Sequence, residues 1–159
     1  MSELFHFEYE LHRAGWATAR IRHGENEIDM TVSYLHDSLR ELANAVYAVS
    51  RGAAISRVVF MDEPGEYQLT LTRRNGPDCH YSIRWFNDWD SWNIRTLPGS
   101  TPVFDGTVPV RQLVQQVYAA LWSLYEEFGE SGYQELWCEH AFPLAEMQRL
   151  VGIKNGQQS

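Results

Sequence analysis

From Phe5 to His12 the chain alternates strictly, with Phe5, Phe7, Tyr9 and Leu11 set against His6, Glu8, Glu10 and His12. A repeat of two puts the apolar members on one side of an extended chain and the polar members on the other. Such a segment is a half-buried β-strand, so something apolar must cover one of its faces and water the other. A turn at Ala14-Gly15 leads into Trp16–Ile21, and His23-Gly24-Glu25-Asn26 leads into a third strand around Ile28, Met30 and Val32. The period then changes. Leu35, Leu39, Leu42, Val46 and Val49 recur at helical spacing, with Ser33 or Asp37 to cap the start and Gly52 to end the helix.

A second meander follows. Ile55–Met61 is β-branched, Asp62-Glu63-Pro64-Gly65-Glu66 is turn chemistry, and Tyr67, Leu69 and Leu71 alternate with polar neighbours. Asn75-Gly76 marks a hairpin before Tyr81, Ile83 and Trp85. Residues 87–102 are the least regular and read as a long loop. Thr107-Val108-Pro109 then opens a long helix carrying Leu113, Val114, Val117, Leu121, Leu124 and Phe128, which ends at Gly129. Short helices are expected around Tyr133–Trp137 and, with Pro143 at the first helical position, over Leu144–Val151.

At 159 residues the natural unit is one domain, and the pattern predicts it over 1–153 with a disordered tail at 154–159. The predicted class is α+β: a twisted, mostly antiparallel sheet of about six strands, in β3-α-β3-α order, with helices on one face. Leu35, Leu39, Leu42, Val46, Val58, Phe60, Leu69, Ile83, Val114, Val117 and Leu121 should form its core. The other face is where His6, Glu8, Glu10 and His12 would point.

Charge narrows the partners. Thirteen Lys and Arg against twenty-one Asp and Glu leave −8, which disfavours nucleic acid and anionic membrane and suits a basic partner. The acid is concentrated. From Gln112 to Gln148 there are six glutamates and no Lys or Arg, interleaved with Tyr118, Trp122, Tyr125, Phe128, Tyr133, Trp137 and Phe142. Glu126 and Glu130 stand four apart, as do Glu135 and Glu139, and Glu126 and Glu127 oppose the negative end of a helix dipole. Carboxylates placed against local stability suit a site for a cationic partner; solvation with Arg from elsewhere is the plainer account.

Signatures of chemistry are weak by comparison. Cys79-His80 and Cys138-Glu139-His140 offer metal ligands, but each pair is too tight to place two side chains on one ion. No Gly-x-Ser-x-Gly elbow occurs, and Asp62/Glu63, Asp88/Asp90 and Glu126/Glu127 are only adjacent carboxylates. The segment 84–95 holds Trp85, Trp89 and Trp92, which could be core, protein-interface anchors or the lining of a small-ligand pocket. No catalytic residue, cofactor or metal is assigned. The N-terminus lacks a basic n-region and an apolar h-region, so a cytoplasmic protein is expected.

Three stretches together carry a family likeness: Ser33-Tyr34-Leu35-His36-Asp37-Ser38-Leu39, Glu63-Pro64-Gly65-Glu66-Tyr67, and Gly132-Tyr133-Gln134-Glu135-Leu136-Trp137 with Ala141-Phe142-Pro143. They resemble small uncharacterised bacterial proteins similar in size and acidity to the immunity proteins of contact-dependent and polymorphic toxin systems. The resemblance implies a bacterial source and a non-catalytic role. The expected function is then sequestration of a basic protein partner, such as a toxin domain, through Glu126, Glu127, Glu130, Glu135, Glu139, Trp89 and Trp92. The competing expectation is a small enzyme or ligand-binding domain whose pocket, near residues 85–95, is lined by Trp85, Trp89 and Trp92 with Asp88, Asp90 or His80.

Overall fold

The computed structural model describes residues 4–87, 100–138 and 140–154. The first meander forms β1 (Phe5–Leu11), β2 (Trp16–His23) and β3 (Asn26–Ser33), paired antiparallel in that order. Its alternation is kept to the residue: Phe5, Phe7, Tyr9 and Leu11 are buried, while His6, Glu10 and His12 are exposed. Gly15 makes the first turn possible. Its φ is +78°, and a Cβ there would meet the Tyr34 ring at 2.5 Å.

Helix α1 spans Ser38–Ser50, starting later than the periodicity from Leu35 suggests. Leu35 precedes the helix and is only half-buried, whereas Leu39, Leu42, Val46 and Val49 are fully buried. Asp37 occupies the N-cap without making a side-chain cap bond; one carboxylate oxygen instead takes Arg40 Nε at 2.9 Å. The remaining strands are β4 (Ile55–Met61), β5 (Glu66–Arg73), β6 (Asp78–Phe86) and β7 (Thr101–Pro109), antiparallel in sequence order. Two long helical elements close the chain, α2 (Val110–Trp137) and α3 (Leu144–Lys154). The residues beyond 154 in the expected disordered tail lie outside those described.

The α+β class holds, but the single six-stranded sheet does not. Among the described residues there are two antiparallel sheets, of three and four strands, and three helices. Hairpin turns decide which strands pair within a meander, but nothing local decides whether two meanders fuse. Here β3 touches β4 without forming a ladder with it, and α1 lies between them in the chain and packs on β4. The extra strand is β7, which covers residues read as loop and as the start of a helix. Pro102, Gly106 and Pro109 obscure it, and only Val108 is fully buried in it. Its position explains why those residues are tolerated: β7 is the edge of its sheet, where a missing N–H costs no ladder bond.

One apolar core joins both sheets to the helices, and every predicted core residue except Leu35 lies in it. Burying such side chains contributes about 1.5–3 kcal/mol each. Gly129 interrupts α2 with φ 67° and ψ −179°, backbone space that is essentially glycine's own. The predicted end of the helix at Gly129 is therefore a kink, after which a second helical arm runs to Trp137.

Candidate functional site

The kink sets the geometry of the acidic region. Before it, Leu113, Val114, Val117, Ala120, Leu121 and Leu124 face the core, which turns Trp122 and Glu126, one turn apart, toward solvent. After it, Tyr133 and Trp137 are completely buried, and their packing fixes the second arm. Tyr133 meets Phe142 edge-on at 5.3 Å, and Trp137 lies 6.5 Å from Tyr9 of β1. Burial pushes the Tyr133 phenol far above its usual range, with the Asp37 carboxylate adding to the effect. With those aromatics inward, Glu130 and Glu135 are left outward. Glu126, Glu127, Glu130 and Glu135 are all exposed, and among the described residues no Arg, Lys or His lies within ion-pair distance of them. The kink also separates Glu126 from Glu130, so their spacing of four is not that of a continuous helix.

The other expected site residues fall elsewhere. Glu139, Trp89, Trp92, Asp88 and Asp90 lie outside the described residues. Trp85 packs on Tyr67 with ring centroids 4.7 Å apart, and its indole N–H donates to Asn87 Oδ1 at 2.9 Å. His80 points from the other end of β6 toward Asp105 of β7, at 3.8 Å. Among the described residues, neither Trp85 nor His80 lines the groove beside β1 or the cleft beside β7. The potential metal ligands are also spread out. Cys79 is buried, its thiol pushed up by burial, while Cys138 is exposed. His140 Nε2–H donates to the Tyr34 carbonyl, 2.9 Å away.

Two features escaped sequence reasoning. Trp122 is 42% exposed, an aromatic beside the acidic kink; its place off the Leu113–Leu124 apolar stripe was the available signal. The second is a groove of about 440 Å³ between β1 and α2, lined by residues 7–11 on one wall and by Ala119, Ala120, Ser123, Leu124, Glu127 and Phe128 on the other. It brings Glu127 to the same concavity as Glu8 and Glu10. No local pattern could reveal this, because the walls are more than a hundred residues apart in the chain. A larger, open cleft of about 750 Å³ lies between the β2–β3 hairpin and β7. Its His23 is engaged by the Tyr81 hydroxyl at 2.5 Å.

The three stretches singled out in the sequence converge around the start of α1. Ser33 Oγ donates to Glu63 Oε2 at 2.7 Å, and Arg40 joins Asp37, Glu146 and the Ala141 carbonyl. The Gly15 N–H donates to the Leu136 carbonyl at 2.9 Å. Burial pulls the His36 imidazole down, but its hydrogen bond and charge interaction with Glu41, with Asp37 and Glu66 nearby, hold it above its usual value. This is an internal frame that ties the start of α1 to the β4–β5 turn and the approach to α3, and the first turn to the end of α2. Of these stretches only Glu135 belongs to the outward acidic surface; the contacts of the others named above are internal to the fold.

Set against protein-family models, curated proteins and solved structures, the chain matches none of them. Among the described residues no helix is long and apolar enough to cross a membrane.

Proposed function

We propose that this protein is a non-catalytic binding protein that sequesters a cationic protein partner, as an immunity or antitoxin-type protein neutralises a cognate bacterial toxin. The observation that carries the reading is the group of exposed carboxylates at Glu126, Glu127, Glu130 and Glu135, which have no cation within ion-pair distance among the described residues. An unscreened negative surface attracts a basic protein over a range set by ionic strength, and so raises the encounter rate. Trp122 supplies an exposed aromatic anchor one turn from Glu126, of the type that slows dissociation once contact is made. Glu139, Trp89 and Trp92 belong to the same proposal.

The test begins with the partner. Co-expression with the product of a neighbouring gene that carries a basic, variable C-terminal domain should rescue growth. Reversal of Glu126 and Glu130 to Lys should leave the circular dichroism spectrum unchanged. It should slow association about tenfold at low salt, an effect that fades as screening falls to about 8 Å at physiological strength. Trp122→Ala should speed dissociation with little salt dependence. Unchanged association of the Lys variant at low salt would remove the acidic surface from the contact.

A further inference from the structure

β1 is an edge strand: it pairs with β2 on one side and faces α2 on the other. The Phe7 N–H donates to Gln116 Oε1 at 3.1 Å, so it points away from β2. In an antiparallel pair, alternate residues direct their backbone groups to the same side. Given the register Phe7↔Ile21, Tyr9↔Ala19 and Leu11↔Ala17, Tyr9 and Leu11 also direct N–H and C=O toward α2. At Phe7 the Gln116 amide stands in for the carbonyl of a neighbouring strand. Farther along, α2 presents Ala119, Ala120 and Ser123, side chains too short to reach the strand, and the groove opens there. Among the described residues no side chain takes the Tyr9 or Leu11 N–H.

We propose that this groove receives an extended, basic segment of the partner protein, which adds to the Tyr9–Leu11 edge of β1 as a further strand. The proposal rests on the reading of a cationic protein partner and specifies how that partner docks. Three properties of the groove select this occupant. Main-chain donors and acceptors at strand spacing favour an extended chain over a helix. Residues 7–11 line it, about 17 Å at strand rise, the length of a short strand. Its lining joins the exposed Glu10 and Glu127 to the buried Leu124 and half-buried Phe128, which suits alternating basic and apolar side chains. A second copy of this chain is a poor occupant, because pairing two β1 edges would bring Glu8 and Glu10 against their own copies.

The probe is a Lys-Val-Arg-Val-Lys-Val peptide, with the corresponding glutamate peptide as control. Titration followed by amide hydrogen exchange should show protection at Tyr9 and Leu11 with the basic peptide only. N-methylation of alternate peptide nitrogens should weaken binding about tenfold in one phase and little in the other, since only one phase faces β1. The double variant Ala119→Gln with Ser123→Gln lies on the exposed side of α2. It should extend the Gln116 pattern along the groove and weaken the peptide about tenfold, while the melting temperature stays unchanged. Should Glu127→Lys weaken the peptide while N-methylation and the glutamine pair do not, strand addition is overturned and the acidic contact stands. Absence of protection at Tyr9 and Leu11 at millimolar peptide also overturns strand addition. The proposed partner contact would still be judged by the Glu126 and Glu130 reversals.

Discussion

The outer face of the first sheet and the kink of α2 are both rich in carboxylates, yet they treat charge in opposite ways. On the sheet, strand register sets Glu8 opposite Arg20, Arg20 opposite Asp29 and Arg22 opposite Glu27. The pairs close: Arg20 Nε lies 2.6 Å from Asp29, and Arg22 lies 2.7 Å from Glu8 and 3.1 Å from Glu27. At the kink, Glu126, Glu127, Glu130 and Glu135 project into solvent from two helical arms with no cation opposite them among the described residues. A sheet holds neighbouring side chains about 5 Å apart and can match them in rows. A solvent-facing helical kink has no opposing row. Matched acid holds a surface together, whereas unmatched acid is what the proposed cationic partner would meet.

The sharpest way to break this contrast is at the kink itself. Gly129→Ala should destabilise the protein by about 1–3 kcal/mol in chemical denaturation. The added methyl meets no atom within 4 Å, so the cost is purely that of the backbone conformation. A neutral result would mean that the helix runs on readily through residue 129 and that the two arms are not fixed.

A smaller effect is expected from Arg20→Gln, which leaves Glu8, Glu27 and Asp29 without their shared cation. Its melting temperature should fall at low salt and recover as salt is raised, because exposed pairs are screened. No change at low salt would make the sheet face as indifferent to charge as the kink is predicted to be.

Asp29 gives the pH form of the same contrast. The Arg20 hydrogen bond, opposed by burial and reinforced by the charges of Arg20 and Arg22, holds its carboxyl below the usual value. A depressed folded-state pKa contributes stability that is present above the unfolded value of about 4 and is lost as pH falls through the folded one. Asp29→Asn should therefore flatten the loss of stability below about pH 4 relative to the parent protein. Denaturation midpoints over that range read it directly, and an unchanged slope would show that the Arg20–Asp29 pair contributes nothing to folding.

The smallest effect belongs to the unmatched acid. Glu126→Gln with Glu130→Gln should change stability by no more than about 0.5 kcal/mol. A loss of several times that size would mean these carboxylates do structural work, and would erase the distinction between the two regions.

Local pattern determined much of this protein. The period of two in residues 5–11 fixed which side chains of β1 are buried, and the helical spacing of Leu39, Leu42, Val46 and Val49 fixed the inner face of α1. Gly129 marked the end of the first arm of α2, since its backbone conformation is closed to other residues. These features rest on periodicity and backbone sterics, which act over a few neighbouring residues. What lay beyond their reach was every relation between distant segments. Edge placement allowed β7 to form despite two prolines, and packing left the two meanders as separate sheets. The glutamates at the kink were legible as a cluster, but that they lack cations depended on where each Arg was carried. Arg20 and Arg22 were placed by strand register, and Arg40 by the meeting of α1 with Asp37 and Glu146. The groove beside β1 exists because small side chains at 119, 120 and 123 face a strand more than a hundred residues earlier. Only the folded chain sets those two surfaces opposite each other, because that juxtaposition comes from burying a shared core and not from any property of either segment alone.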